Sequence, residues 1–382
     1  MMEQPLVSII ITNFNYAAFI RECIDSALGQ TYPFTEIIVV DDGSTDESQS
    51  IILSYGDQLT HVFKNNGGQG SAFNAGFDIS RGDIILFLDA DDCLLLSAAD
   101  KVVSSFKEGE MVKAHWPLYV IDRLSFNSGQ LTPTYGLLEG NLVSRIISLG
   151  PNAYVSPPTS GNAWNRAFLS KVLPMPSESY MISADLYLCM LAPLYGHIKT
   201  ISEPLSLYRL HGDNNFRGKF LSDDFLNKKI SRFEESCEIL REHFKRMNIN
   251  VNPDQWRKES WLMKLNASIN DIKKFVPENE KLILADGDQW QVAGELAGRK
   301  IIPIMQKDQQ YWGQPSSDEE AIHEIESQVK QNAGYIFFAW PVFWWLDYYK
   351  QMVNYLDQNH TQLIRNERLV GYKLNNMTIR AE

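Results

Sequence analysis

Short apolar runs alternate with helical patterns through the first ninety residues of the chain. Leu6–Thr12 (LVSIIIT), Glu36–Val40 (EIIVV), Leu59–Phe63 and Asp83–Leu88 (DIILFL) are strand-length, and most are rich in β-branched or large apolar residues at consecutive positions. Apolar runs without alternation suit strands covered on both faces, as in a parallel sheet. Between them, Ala18–Gln30 sets Ile20, Cys23, Ile24, Ala27 and Leu28 on one helical face. Glu47–Tyr55 reads as a helix behind the capping residues Ser44, Thr45 and Asp46, and Gly70–Ser80 as a helix despite its glycines. The alternation predicts βαβ units and a mostly parallel sheet. Ligands of such sheets bind beyond the carboxyl ends of the strands. Thr12-Asn13, Asp41-Asp42 and Asp89–Asp92 stand at such ends and are expected to converge on one crevice.

Beyond Glu110 the pattern weakens. Lys113–Asp122 and Gln130–Thr134 read as a hairpin, Asn141–Leu149 as a short helix, Pro151–Pro158 as a loop and Asn165–Val172 as a helix. Ser183–Leu194 reads as a helix opened by Ser183, and His197–Ile201 and Leu205–Leu210 as strands. Phe220–Met247 and Asp254–Asn270 are charged and helical, the pattern of a linker. A second α/β pattern follows: strand Lys281–Ala285, turn Asp286-Gly287-Asp288, a helix through Gly298 and strand Lys300–Met305. It continues with helix Ser317–Gln331, strand Tyr335–Ala339, helix Trp344–Asn359 and hairpin Gln362–Leu374. The expected organisation is an α/β domain over 1–220, a helical linker over 221–277 and a small α/β domain over 278–382. The aromatic run Trp340, Phe343, Trp344, Trp345, Tyr348 and Tyr349 exceeds what one helix core needs. It suggests packing against another domain or a second copy in a homodimer, or an acceptor- or lipid-facing surface.

Charge narrows the function. A net charge of −12 disfavours nucleic-acid binding, which needs clustered Lys and Arg, and disfavours simple adsorption to anionic lipid. Cys23, Cys93, Cys189 and Cys237 lack CxxC spacing, so zinc is not expected and reduced thiols are. With no signal-like start and no long apolar window, a cytoplasmic protein is expected, with peripheral membrane contact left open.

Several clusters carry candidate chemistry. Three carboxylates in Asp89-Ala90-Asp91-Asp92 repel one another unless hydrogen bonds or a cation compensate. They read either as a hard-cation site for Mg²⁺ or Mn²⁺ shared with a ligand's phosphates, or as a solvated acidic loop. Asp41-Asp42-Gly43-Ser44 reads as a helix cap, as a carboxylate for a base or ribose, or as both. The glycine-rich Asn66–Ser71, with Gly68 at its centre, suits close approach of backbone to a ligand or a plain loop. Asp185 is either a carboxylate favoured by a helix N-terminus or a general base, with Leu186 and Met190 on another face. Arg209 and His211, in Tyr208-Arg209-Leu210-His211, are either a strand end or contacts to phosphate and metal.

Six segments in order resemble the family 2 glycosyltransferases of the GT-A fold: VSIIITNFNYAAFIRECIDSALGQTY, EIIVVDDGSTDES, NNGGQGSAFNAGF, GDIILFLDADD, SADLYL and YRLHGDNN. They span about residues 6–215. The resemblance implies a nucleotide-sugar donor cradled by Thr12, Asn13 and Asp42, with Gly68 and Asn74 in the same pocket. It implies a DxD motif in which Asp91 is the closer metal ligand and Asp89 lies near the ribose, with Asp185 as base. Gly161 and Trp164, in TSGNAW, match the region that meets sugar and acceptor. Phe73 stands where many relatives have Arg, and Ala184 where Glu is common, which puts one donor contact in doubt and leaves Asp185 the nearby carboxylate. The implied reaction is metal-assisted, inverting transfer of single sugars, UDP-linked by preference, to a sugar, lipid-linked or protein acceptor. Alternatives are a nucleotidyltransferase, disfavoured because Asn13-Phe14-Asn15-Tyr16 replaces a glycine-rich basic loop, and a non-catalytic sugar-nucleotide-binding module.

Overall fold

The structure is a computed structural model that describes residues 4–107, 110–134, 136–212, 223–290, 294–307 and 310–375. The chain divides into two compact units, one of residues 1–215 with 235–256, the other of 216–234 with 257–382. The span 221–277, which reads as a linker in sequence, is thus shared out: its first long helix, Asp223–Arg246, begins in one unit and ends in the other.

The first unit opens with β1 (Val7–Asn13), α1 (Ile20–Leu28), β2 (Thr35–Asp41), α2 (Ser48–Leu53), β3 (Thr60–Phe63), α3 (Gly68–Ile79) and β4 (Ile84–Asp89). Then come β5 (Cys93–Leu94), α4 (Ala98–Ser105), β6 (Met111–His115), β7 (Leu118–Ile121), β8 (Asn127–Thr132) and α5 (Val143–Leu149). The unit continues with β9 (Asn162–Asn165), α6 (Arg166–Val172), α7 (Asp185–Tyr195), β10 (His197–Thr200) and β11 (Ser206–Arg209). The main sheet has the order β10-β6-β9-β4-β1-β2-β3. All its pairs are parallel except those of β9, which runs against both β4 and β6. A smaller sheet has the order β5-β11-β7-β8.

Burial explains the unbroken apolar runs. Every residue of β1 is buried. Ile9, Ile11, Ile37, Val39, Leu86 and Leu88 join the core beneath α1 and α4. The opposite face receives α3, where Phe73 stacks flat on Phe87 with ring centroids 3.8 Å apart. Phe73 is therefore core.

Two local expectations change. Lys113–Asp122 is not one strand: β6 lies in the main sheet and β7 in the small one, broken at Trp116-Pro117, where proline lacks the N–H a ladder needs. The pairing of β7 with β8 keeps the hairpin. The strand β9 has no counterpart in the sequence reading, because Asn162-Ala163-Trp164-Asn165 carries neither β-branched residues nor alternation.

The second unit has a sheet in the order 295–296, 299–303, 281–285, 333–339, 369–373, 361–365. Its first long strands are parallel and its last two form the expected terminal hairpin. Ser317 caps the helix Asp318–Lys330 by accepting from Glu320 N at 3.2 Å. The expected helix Trp344–Asn359 is two helices, Phe343–Tyr348 and Lys350–Asn359, because Tyr349 leaves helical geometry (φ −90°, ψ 67°) with its ring buried. The expected helix through Gly298 is replaced at its end by the short strand Glu295–Leu296, while residues 291–293 lie outside the described residues. Within the aromatic run, Trp345 and Tyr349 are core, whereas Trp344 and Tyr348 are exposed. Among the described residues, no helix is long and apolar enough to cross a membrane.

Gly76 sets how closely α3 lies on the sheet: a Cβ there would stand 2.3 Å from Ile10 Cγ2 and 3.2 Å from Val40 Cγ2. Alanine gains about 1 kcal/mol of helix propensity, but overpacking a filled core costs about 1–3 kcal/mol. Gly76→Ala is expected to lower the denaturant midpoint, and equilibrium unfolding in urea measures it.

Candidate active site

Strand register brings the polar clusters together. Asn13 pairs with Asp41 across β1 and β2, and Thr12 with Asp89 across β1 and β4. All stand at the carboxyl edge, as expected for an open α/β sheet. The antiparallel β9 adds a further contributor: the single turn Thr159–Gly161 just before it lies over the end of β4, where Ser160 Oγ accepts from Asp89 N at 3.2 Å.

Asp89, Asp91, Asp92 and Asp185 are crowded at this edge. Burial, then the charges of Asp91 and Asp185, push the Asp89 carboxyl up to about 7, against hydrogen bonds from Gln69 and Thr159 that favour its ionised form. Asp92 is raised as well, by burial and then by Asp91 and Asp89. Its Oδ1 accepts from Arg209 N at 2.9 Å, while its buried Oδ2 has no partner. Asp91 Oδ2 lies 3.0 Å from His211 Nε2, and the His211 ring rests against Phe19 and Tyr16, with centroids 4.9 and 5.7 Å away.

Among the described residues, no three His, Cys, Asp or Glu side chains gather into a shell that could hold an ion unaided. Magnesium and manganese commonly take one or two carboxylates and complete their shells with ligand phosphates and water. The crowded carboxylates and the partnerless oxygen of Asp92 fit a hard cation held in that partial manner. Asp91 and Asp89 are the residues that would hold it.

Several expected ligand contacts are instead engaged within the protein. Asp42 is wrapped by the loop after β3: it accepts from Gly67 N at 3.0 Å and Gly68 N at 2.7 Å and is paired with Lys64. Gly68 (φ 81°) answers to packing, since a Cβ would stand 2.4 Å from Met181 Cα. Asn74 clasps the backbone of Met175, donating to its O at 3.0 Å and accepting from its N at 2.9 Å. Arg209 is buried beneath the acidic turn, with Nε 2.8 Å from Asp91 O, Nη1 2.8 Å from Ser125 Oγ and Nη2 2.7 Å from Glu22 Oε2. It holds the turn.

Trp164 is buried in β9 against Phe168, and Gly161 is packed where a Cβ would meet Leu118 at 2.6 Å and Pro157 at 2.8 Å. Asn13 donates to Asp41 Oδ2 at 2.7 Å and leaves its buried Oδ1 without a partner. Thr12 reaches only 3.5 Å from Asp89 Oδ1.

Asp185 is the first residue of α7 and is buried. Leu186, 45% exposed, stands on a different face from the buried Asp185, as expected, whereas Met190 is buried with it. Ser183 does not cap the helix. It has φ 62°, and its buried hydroxyl has no partner. The cap comes from Gln69, whose Oε1 accepts from Ala184 N at 2.9 Å while Nε2 donates to Asp89 Oδ1 at 2.8 Å.

Gln69 escaped the sequence reading because its partners lie far along the chain. Lys113 escaped it too. Fully buried, its ammonium is 2.8 Å from Ser156 Oγ and 3.2 Å from the thiol of Cys189, which follows Asp185 by one helical turn. Burial depresses its pKa, against the pull of Cys189 and Asp185.

Residues 8–155 match the family described as glycosyl transferase family 2. An uncharacterized glycosyltransferase of Nostoc sp. is 38% identical over 213 residues, a match covering 55% of this chain and 66% of that protein. An uncharacterized glycosyltransferase of Rickettsia prowazekii is 54% identical over 88 residues, covering 23% of this chain and 28% of that one. A third or more of each relative thus lies outside the match. The fold is similar to that of S. aureus TarS residues 1–349, with a TM-score of 0.51, 16% identity and 97% of each chain covered.

The raised Asp89 carboxyl makes a signed prediction. An unfolded Asp titrates near pH ~4, so between there and about 7 the folded state binds the extra proton. The stability this group contributes is present at low pH and lost as pH rises through its folded pKa. With divalent ions chelated, Asp89→Asn is expected to raise the thermal midpoint more at pH 8 than at pH 5, as scanning calorimetry at both pH values measures.

Proposed function

Because residues 8–155 place the chain in glycosyl transferase family 2, we propose that it moves a single sugar from a nucleoside-diphosphate donor, UDP-linked by preference, to an acceptor hydroxyl with inversion. A divalent ion at the acidic turn assists. The observation that supports this most is the convergence, at one sheet edge, of Asp89 and Asp91 with the N-terminus of the helix that carries Asp185.

When bound, Mn²⁺ or Mg²⁺ would neutralise the charge that grows on the leaving diphosphate. Asp91 and Asp89 would hold it there. Arg209 keeps their turn rigid by fixing Asp91 O and the Asp92 carboxylate from below. Asp185 accepts the proton of the acceptor hydroxyl as that oxygen bonds to the anomeric carbon and the carbon–diphosphate bond breaks on the opposite side. Asp185 stands in the first turn of α7, where the helix dipole favours an acidic side chain. One displacement inverts the anomeric centre.

Asp185→Asn is expected to lower transfer by about 10²–10⁴-fold, the usual weight of a general base, while donor affinity in the presence of Mn²⁺ stays within about threefold. Asp91→Asn is expected to abolish the ion-dependent part of donor binding. A nucleotide-sugar panel read by thermal shift and isothermal calorimetry checks binding, and product release checks transfer. Near-full transfer by the Asp185 variant overturns the role of this residue.

A further inference from the structure

We propose that Gln69 is a positioning residue that couples the acidic turn to the base, one side-chain amide holding Asp89 and the start of α7 in register. The inference rests on the glycosyl-transfer reading above. Nε2 donates to Asp89 Oδ1 at 2.8 Å and to Thr159 Oγ1 at 3.2 Å, and Oε1 accepts from Ala184 N at 2.9 Å. These partners lie 20, 90 and 115 residues away in sequence.

The orientation of the amide is dictated. Turned over, it would set a carbonyl against a carboxylate and an NH₂ against an N–H. Its backbone is anchored too: Gln69 N donates to Met181 O and Gly70 N to Tyr180 O, each at 2.9 Å. Gly68 permits this approach, having no Cβ to strike Met181.

The start of α7 needs an external partner. Leading N–H groups of a helix have no acceptor inside it. Neither Ala184 nor the left-handed Ser183 supplies a side-chain cap. Gln69 does so, and thereby ties the backbone just before Asp185 to the carboxylate at the end of β4. Small displacements of a catalytic group cost rate steeply, on the order of 10²-fold for 1 Å. An amide that spans both groups therefore controls kcat more than donor affinity.

The test uses the full chain. Gln69→Met has similar length and neither donates nor accepts at these positions. It is expected to lower kcat by about 10–100-fold with donor KM within about threefold, and to speed hydrogen–deuterium exchange in a peptide covering residues 181–188 with other peptides unchanged. In an Asp185→Asn background it should cost less than about twofold more, since groups acting as a unit are not additive. Gln69→Glu keeps an acceptor for Ala184 N but cannot donate to Asp89. It should keep slow exchange and still lose kcat.

Wild-type kcat in the Met variant, unchanged exchange there, or a fully additive loss with Asp185→Asn each overturn the proposal. If the wild-type chain transfers no sugar, the glycosyl-transfer reading fails, while the exchange measurement still decides whether Gln69 holds the start of α7.

Discussion

Concentrating carboxylates at one sheet edge is the constraint around which the first unit is arranged. Asp91, Asp92 and Asp185 are each less than a tenth exposed, and Asp89 stands among them. Charges of one sign in so dry a place are tolerated only with fixed donors nearby. The fold supplies these from separate elements: the backbone N of Arg209 from the small sheet, the ring of His211, the amide of Gln69 and the hydroxyls of Thr159 and Ser160. What remains uncompensated, chiefly Asp92 Oδ2 and the elevated Asp89 carboxyl, is the deficit that the proposed divalent ion and diphosphate would complete together.

Much of the loop chemistry serves assembly of this edge. Asp42 gathers the backbone N–H groups of Gly67 and Gly68, and Gly68 in turn lets the loop lie against Met181. That contact delivers Gln69 to Ala184 and Asp89. Asp42, a carboxylate expected to meet a nucleotide, thus also shapes the loop between the acidic turn and the helix that carries Asp185. Arg209 follows the same logic from the other side, with its polar atoms spent on the turn and on Glu22 and Ser125. The second unit builds its own parallel sheet, with Trp290, Trp345 and Tyr349 in its interior and Trp344 and Tyr348 left at its surface.

By itself the sequence determined the alternation of buried strands and helices, the carboxyl-edge position of Thr12, Asp42 and Asp89, and the acidic turn, because each depends on local periodicity and on residues adjacent in the chain. The six ordered motifs carried the resemblance to glycosyl transferase family 2 as well, whose match spans residues 8–155. Tertiary structure alone decided which of those polar residues face one another. It turned Asp185 inward and Leu186 outward, spent Asn74 on Met175 and Trp164 on the core, and inserted β9 between β4 and β6. It also chose Gln69 over Ser183 as the cap of α7. The physical reason is one of range: periodicity and capping signals reach a few residues, whereas hydrogen bonds between residues 69 and 184 or 91 and 209 exist only after the sheet has brought distant strand ends side by side.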